Sequence, residues 1–116
     1  MTYATREDQA LTYRLSGDRN PLHSDPSFAA LGGFDKPILH GLCTFGYVGR
    51  AVLRGYCDNQ PTRFKALDVR FSGVVFPGET IVTELWKIGA QDLILQAKTK
   101  ERGELVISAA QATICN

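Results

Sequence analysis

HGLCTFGYVGRAVLR, residues 40–54, is the longest helical candidate in the chain, and the pattern of the sequence changes just beyond it. The stretch is apolar on most faces, which marks a helix buried in a core. It carries Gly41, Gly46 and Gly49, and a glycine in an exposed helix interior costs about 1 kcal/mol relative to alanine. Close approach of a sheet to a small-residue face is the natural compensation. After Asn59–Pro61 the helical period gives way to alternating or continuous apolar character. RFKALDVRFSGVVF (63–76), TIVTELWKIG (80–89), DLILQAKTK (92–100) and LVISAAQATI (105–114) read as four successive strands. PGE (77–79) and ERGE (101–104) supply turns between them. Short connections imply an antiparallel meander, so the expected class is α+β: one long buried helix gripped by a strongly curved antiparallel sheet.

Upstream, apolar Ala10, Leu11 and Leu15 suit a short helix over residues 5–15, opened by Thr5, with acids in its first turn and Gly17 as its stop. SDPSFAALGG (24–33) reads as a second short helix. Asp25 caps it, Pro26 takes the first helical position, and Gly32–Gly33 ends it. FDKP (34–37) is a turn. A sheet of four strands has unpaired edges and leaves its helix thinly covered, and pairing with a second copy or a sister domain addresses both.

The 116 residues have room for one domain, residues 1–116, with 44% hydrophobic and 22% charged residues. Thirteen basic residues against twelve acidic ones leave a net charge of +1, which lacks the clustered basic excess that nucleic acid requires. Cys43, Cys57 and Cys115 are odd in number and widely spaced, so neither a disulfide framework nor a zinc knuckle is expected. No apolar run approaches the roughly 20 residues of a membrane span. MTYATREDQALTYRL places charges where a signal peptide is apolar, and TICN at the C-terminus is not the peroxisomal tripeptide address. The expectation is a soluble, cytoplasmic protein.

SGDRNPLHSDP (16–26) places Asp18, Asn20 and His23 around Pro21, between two helices. Proline fixes its own φ and restricts Asn20 before it, so these side chains can be held in one arrangement. An aspartate and a neutral imidazole converging on one point can hold a water molecule and move its protons. The plainer alternative stands beside that one. A helix-flanking Asp is commonly a cap, Asn-Pro is a common turn starter, and a loop histidine is commonly solvated.

The wider string YRLSGDRNPLHSDPSFA (13–29) resembles the signature of the type 2 2-enoyl-coenzyme A hydratases, within the broader MaoC-like dehydratase group. It has the aromatic residue, the run Leu-Ser-Gly-Asp-x-Asn-Pro-Leu-His, and the small residue six positions on, Ala29. GFDKPILHGLCTFG (33–46) and RFKALDVRFSGVVFPGET (63–80) resemble the blocks that follow in the same family. The likeness covers Leu11 to about Ile114 and is close to the hydratase portion of peroxisomal multifunctional β-oxidation enzymes. It implies a hot-dog fold, a sheet wrapped around one helix, and reversible addition of water to trans-2-enoyl-CoA giving (3R)-3-hydroxyacyl-CoA. It also implies that Asp18 and His23 are the catalytic pair, that Asn20 positions, and that the backbone N–H of Gly41 is an oxyanion donor. Coenzyme A enters as part of the substrate, with no separate cofactor and no metal.

His40 beside Gly41 would complete a two-histidine, one-carboxylate set with Asp18 and His23, but the resemblance implies no metal, and packing or capping at the helix start is the plainer role. Arg63 and Lys65 are candidates for the phosphates of coenzyme A, against the plainer reading of solvated strand-edge charges. Arg50 and Arg54 mark an exposed helix face. Cys43 is expected in the core, and Phe71 and Trp86 in the core or at a dimer contact. Family members of the multifunctional kind carry two hot-dogs, and smaller relatives begin with an extra strand. None of the 17 residues before Asp18 reads as a strand. A homodimer or a second hot-dog chain is therefore expected, with the peroxisome as the compartment if the chain is a piece of a multifunctional enzyme. Two other functions fit the residues: a (3R)-hydroxyacyl-carrier-protein dehydratase, and a non-catalytic subunit that binds acyl thioesters.

Overall fold

The structure, a computed structural model, describes residues 1–115. Its long helix, α3, spans Gly41–Tyr56, after two short ones, α1 (Gln9–Arg14) and α2 (Pro26–Leu31). The strands are β1 (Thr2–Ala4), β2 (Phe64–Phe71), β3 (Thr80–Lys87), β4 (Asp92–Thr99) and β5 (Leu105–Ile114). They form one antiparallel sheet in the order β1-β3-β4-β5-β2. Alternation sets its inner face. In β4, Leu93, Leu95, Ala97 and Thr99 are buried, while Ile94, Gln96 and Lys98 point the other way. Val48, Ala51 and Val52 of α3 pack on that inner face with no exposure at all. Each buried valine contributes roughly 1.5–3 kcal/mol.

Three expectations change. The strands are not a meander, because β2 pairs with β5 at the far edge rather than with β3. Residues 72–79 cross from β2 at one edge to β3 beside the other instead of forming a hairpin, and Val75 of that crossing is buried beneath the start of α3, where its carbonyl accepts from Leu39 N at 2.7 Å. Second, residues 2–4 are a strand. Thr2, Tyr3 and Ala4 pair with Val82, Ile81 and Thr80, so a short form of the leading strand is present. Three residues carry no periodicity to read. Third, Thr5 opens no helix. It is buried, its hydroxyl donates to Glu79 O at 2.6 Å and accepts from Gly78 N at 2.9 Å, and α1 starts only at Gln9.

The turn after Phe76 forms as its sequence requires. Pro77 and Gly78 occupy its centre, Glu79 N returns to Phe76 O at 3.0 Å, and Gly78 has φ +97°, where a side chain is disfavoured. The sheet's curvature has a local source as well. Between Leu95 and Ala97 of β4, β5 advances from Ala110 back to Ile107, so it carries an extra residue, and Ala109 there has φ +48°. Such a bulge bends and twists its strand.

The helix is only half covered. Cys43, Thr44, Val48, Ala51 and Val52 face the sheet, while Leu42 is 62% exposed and Gly46 has no neighbour within 4 Å of where a Cβ would be. One five-stranded sheet encloses one side of a helix, which is why the expectation of burial on most faces fails. The glycine argument holds at Gly41, against the Phe71 ring, and at Gly49, against Phe64 and Leu67. It fails at Gly46.

Candidate active site

The loop that carries Asp18, Asn20 and His23 is built by its own residues. Asn20 Oδ1 accepts from Leu22 N at 3.0 Å, and Asp18 Oδ1 accepts from Asn20 N at 3.2 Å. Pro21 begins a single 3-10 turn, Pro21–His23, that Asn20 caps. The plainer role weighed for Asn20 is therefore filled by its oxygen. Asp25 caps α2 through Ser27 N at 2.9 Å, with Pro26 at the first position.

His23 is oriented from the segment leading into α3. Its Nδ1 lies 2.8 Å from the carbonyl of Ile38. A carbonyl only accepts, so Nδ1 carries the proton and Nε2 presents its lone pair. Ile38 N in turn donates to Leu22 O at 3.3 Å, closing the loop onto the helix entrance. One carboxylate oxygen of Asp18, one ring nitrogen of His23 and one of His40 lie within 4.8 Å of one another. The two imidazoles are stacked, with centroids 3.9 Å apart and planes inclined by 26°. Rings in that relation do not both aim in-plane lone pairs at one ion about 2 Å away, as metal ligands must.

Gly41 is the first residue of α3. Its N–H is among those a helix start leaves without an internal acceptor, and none of the described residues accepts from it. The positive end of the helix dipole adds to its pull on negative charge. The Phe71 ring stands 3.3–3.5 Å from where a Cβ on Gly41 would be. His23, Gly41, Thr44, Phe71 and Val75 line a cavity of about 160 Å³ in the space between loop and helix. His23 also lines an open cleft of 310 Å³ with Glu7, Leu11, Ser24 and Lys36. A lone-pair nitrogen and an unpartnered N–H at one small cavity, with a carboxylate oxygen within 4.8 Å of a ring nitrogen of that same histidine, can move protons and stabilise a developing oxyanion.

Arg63 and Lys65 are not brought to this place. Arg63 sits in the turn before β2 with its Nε donating to Cys115 O at 3.2 Å. Lys65 is exposed near the start of β2, roughly 20 Å along the strand from Phe71 at its end. Cys43 is buried, and burial pushes its thiol pKa up, away from the nucleophilic thiolate. Phe71 and Trp86 are each 49% exposed, so neither is core. Sequence reasoning passed over Thr44 and Lys36. Thr44 stands one helical turn beyond His40, and that spacing is its signal. Lys36, in the cleft and 5.2 Å from the Phe76 ring centroid, had none.

Residues 1–110 match the MaoC like domain family. The chain belongs to that family. This MaoC-like domain is 53% identical over 112 residues to a probable enoyl-CoA hydratase 2 of Dictyostelium discoideum, covering 96% of the chain and 38% of that protein. It also matches the full-length peroxisomal multifunctional enzyme type 2 of Drosophila melanogaster, with TM-score 0.95, 53% identity, and coverage of 98% of the chain and 21% of that structure. The R-hydratase of Pseudomonas aeruginosa matches with TM-score 0.77, 26% identity, and coverage of 98% and 76%. The MaoC-like domain thus has the hot-dog fold of these neighbours, and spans well under half the length of the first two.

Proposed function

We propose that this MaoC-like domain is a hydro-lyase that adds water reversibly to trans-2-enoyl-CoA, giving (3R)-3-hydroxyacyl-CoA. One observation carries the reading: His23 and the unpartnered Gly41 N–H line a single cavity, and a carboxylate oxygen of Asp18 lies within 4.8 Å of a His23 ring nitrogen. In this reaction the thioester oxygen lies against Gly41 N–H. Water oxygen attacks C3, one member of the Asp18/His23 pair takes its proton, and an enolate-like charge grows on the thioester oxygen. The N–H meets that charge without reorganising. A proton is then delivered to C2 on the same face, so atoms and charge balance with no separate cofactor. Asn20 keeps the loop in register through its bond to Leu22 N. The hydratase names of the Dictyostelium and Pseudomonas relatives support the substrate class and the R product.

The domain works against a second hot-dog, in the same chain or in a second copy. The exposed Leu42 face of α3 and the open edge of β2 favour this. Among the described residues no helix is long and apolar enough to cross a membrane. The peroxisomal name of the Drosophila relative favours the peroxisome as the compartment, which imaging of the tagged protein in its own cell tests.

The reaction is tested by the loss of enoyl-thioester absorbance on crotonyl-CoA, with the product read by an enzyme specific for the 3R alcohol and the mass in solution measured alongside. Asp18→Asn and His23→Ala are each expected to lower kcat by about 100- to 10,000-fold with the fold retained. Substantial activity in both variants sinks the assignment. Comparison with the carrier-protein thioester separates the two carriers.

A further inference from the structure

We propose that His40 is a positioning residue of this site, tying the Asp18 backbone to the start of α3 through its Nε2–H and holding the His23 ring by stacking. The inference rests on the proposed hydratase reading only for its activity readout. His40 occupies the N-cap position of α3, yet its side chain makes no capping hydrogen bond. The imidazole turns instead toward the loop, with Nε2 at 3.2 Å from the carbonyl of Asp18. Because that carbonyl only accepts, Nε2 carries the proton. Nδ1 is then a bare lone pair, and it is buried with no partner among the described residues.

Packing alone does not account for this side chain. His40 is 2% exposed, stacked on His23 and 4.7 Å from the Tyr13 ring. A phenylalanine would fill the same stack without burying an unpaired nitrogen, which is destabilising. What a histidine adds is the Nε2–H. Asp18 itself is exposed and follows Gly17, which has φ +114°. Among the described residues, the His40 bond is the only hydrogen bond between the Asp18 backbone and the helix entrance. Through it one rigid helix start holds the carbonyl of Asp18, the face of His23 and the Gly41 peptide together. Burial keeps the His40 imidazole below the usual histidine range, and His23 acts in the same direction, while the carbonyl and carboxylate of Asp18 oppose them. His23, Asp18 and Tyr13 are the titratable groups that face it. The ring therefore works as a neutral donor, leaving proton transfer to its neighbours.

Two variants separate donor from stack. His40→Gln retains an N–H at the position of Nε2, and His40→Phe retains the ring. The expected result is kcat for H40F at least about fivefold below that for H40Q, with KM of both within about threefold of the parent, because misplacing a catalytic group lowers turnover more than binding. A smaller kcat ratio overturns the proposal. A second readout needs no activity. Nitrogen-15 imidazole spectra of the unmodified protein are expected to show His40 neutral as the Nε2–H tautomer at pH 6.5, and a slowly exchanging His23 Nδ1–H that persists in H40F, which keeps the stacked ring, and is lost in H40Q, which does not. An Nδ1–H tautomer at His40, or equal protection of His23 in both variants, overturns it. If the parent protein is inactive on enoyl-CoA, the hydratase reading fails by itself, and the spectra still decide the place of His40.

Discussion

Gly41→Ala separates what this glycine does for the fold from what it does for the reaction. Gly41 has no positive φ, so alanine fits its backbone. Gly→Ala in a helix interior stabilises by about 0.5–1 kcal/mol, and a first position sees only part of that. Against it, the new Cβ would stand 3.3 Å from Phe71 Cε1 and 3.4 Å from Cζ, a few tenths of an ångström too close. The ring is half exposed and can tilt away. The two effects roughly cancel, leaving stability within about 1 kcal/mol of the parent. Activity behaves differently. The Cβ and the displaced ring both intrude on the 160 Å³ cavity, lined also by His23 and Thr44, that the proposed thioester would occupy. Deleting an oxyanion donor outright costs about 100- to 1,000-fold. Here the N–H survives and is only obstructed, so kcat/KM falls by about 10- to 100-fold, or about 1.4–2.7 kcal/mol in barrier. Thermal melts and the crotonyl-CoA assay read the two quantities. Gly46→Ala is the control: its Cβ meets nothing within 4 Å, and it gains about 0.5–1 kcal/mol of stability. If G41A keeps more than half of the parent kcat/KM with an unchanged melt, the Cβ does not obstruct the cavity and the close-approach argument for Gly41 is refuted.

Glu79 gives a pH signature. Burial alone would raise its carboxyl, but Arg102 (2.6 and 2.8 Å) and the Phe76 N–H (2.7 Å) outweigh burial and lower it below the usual glutamate value of 4.5. A group lowered on folding adds stability that is fully present above its unfolded value and is lost as pH falls through the folded one. Urea titrations are expected to be insensitive to Glu79 above about pH 5 and to weaken below 4.5. Glu79→Gln costs about 1–3 kcal/mol at pH 7 and removes that acid component; an identical acid slope in E79Q contradicts it. Ala109→Gly relieves the φ +48° of the β5 bulge. A left-handed alanine costs roughly 1–2 kcal/mol and a strand glycine about 0.5–1, so the variant gains up to about 1 kcal/mol in urea, and a loss of that size refutes the bulge strain.

The parts of the fold that were legible are those whose signal is local. Asp25-Pro26, Pro77-Gly78 and the alternation of β4 each carry their structure in neighbouring residues, and each is where the sequence places it. What escaped depends on distant partners. β1 is a strand only because Val82, Ile81 and Thr80 pair with it. Thr5 has the composition of a cap, yet the Glu79 carbonyl and the Gly78 N–H claim its hydroxyl from more than seventy residues away. The pairing of β2 with β5 follows from a crossing at residues 72–79 whose apolar Val74-Val75 looked like more strand.

The same division explains the site. Asp18, Asn20 and His23 could be singled out because they fall in one short string around Pro21 that resembles the hydratase signature, and bonds to residues two positions on, Asn20 to Leu22 and Asp18 to Asn20, fix that loop from within. Their joining to α3 could not, because it runs through the carbonyls of Ile38 and Asp18, and a backbone carbonyl leaves no mark on the residue type. A histidine whose cap is absent and whose Nδ1 is orphaned is the trace of that joining in the structure. The proposed chemistry is thus divided between two pieces of chain, a capped turn and a helix start. The pair of imidazoles stacked between them sets their separation, which is why a substitution at His40 is expected to act on turnover before it acts on binding.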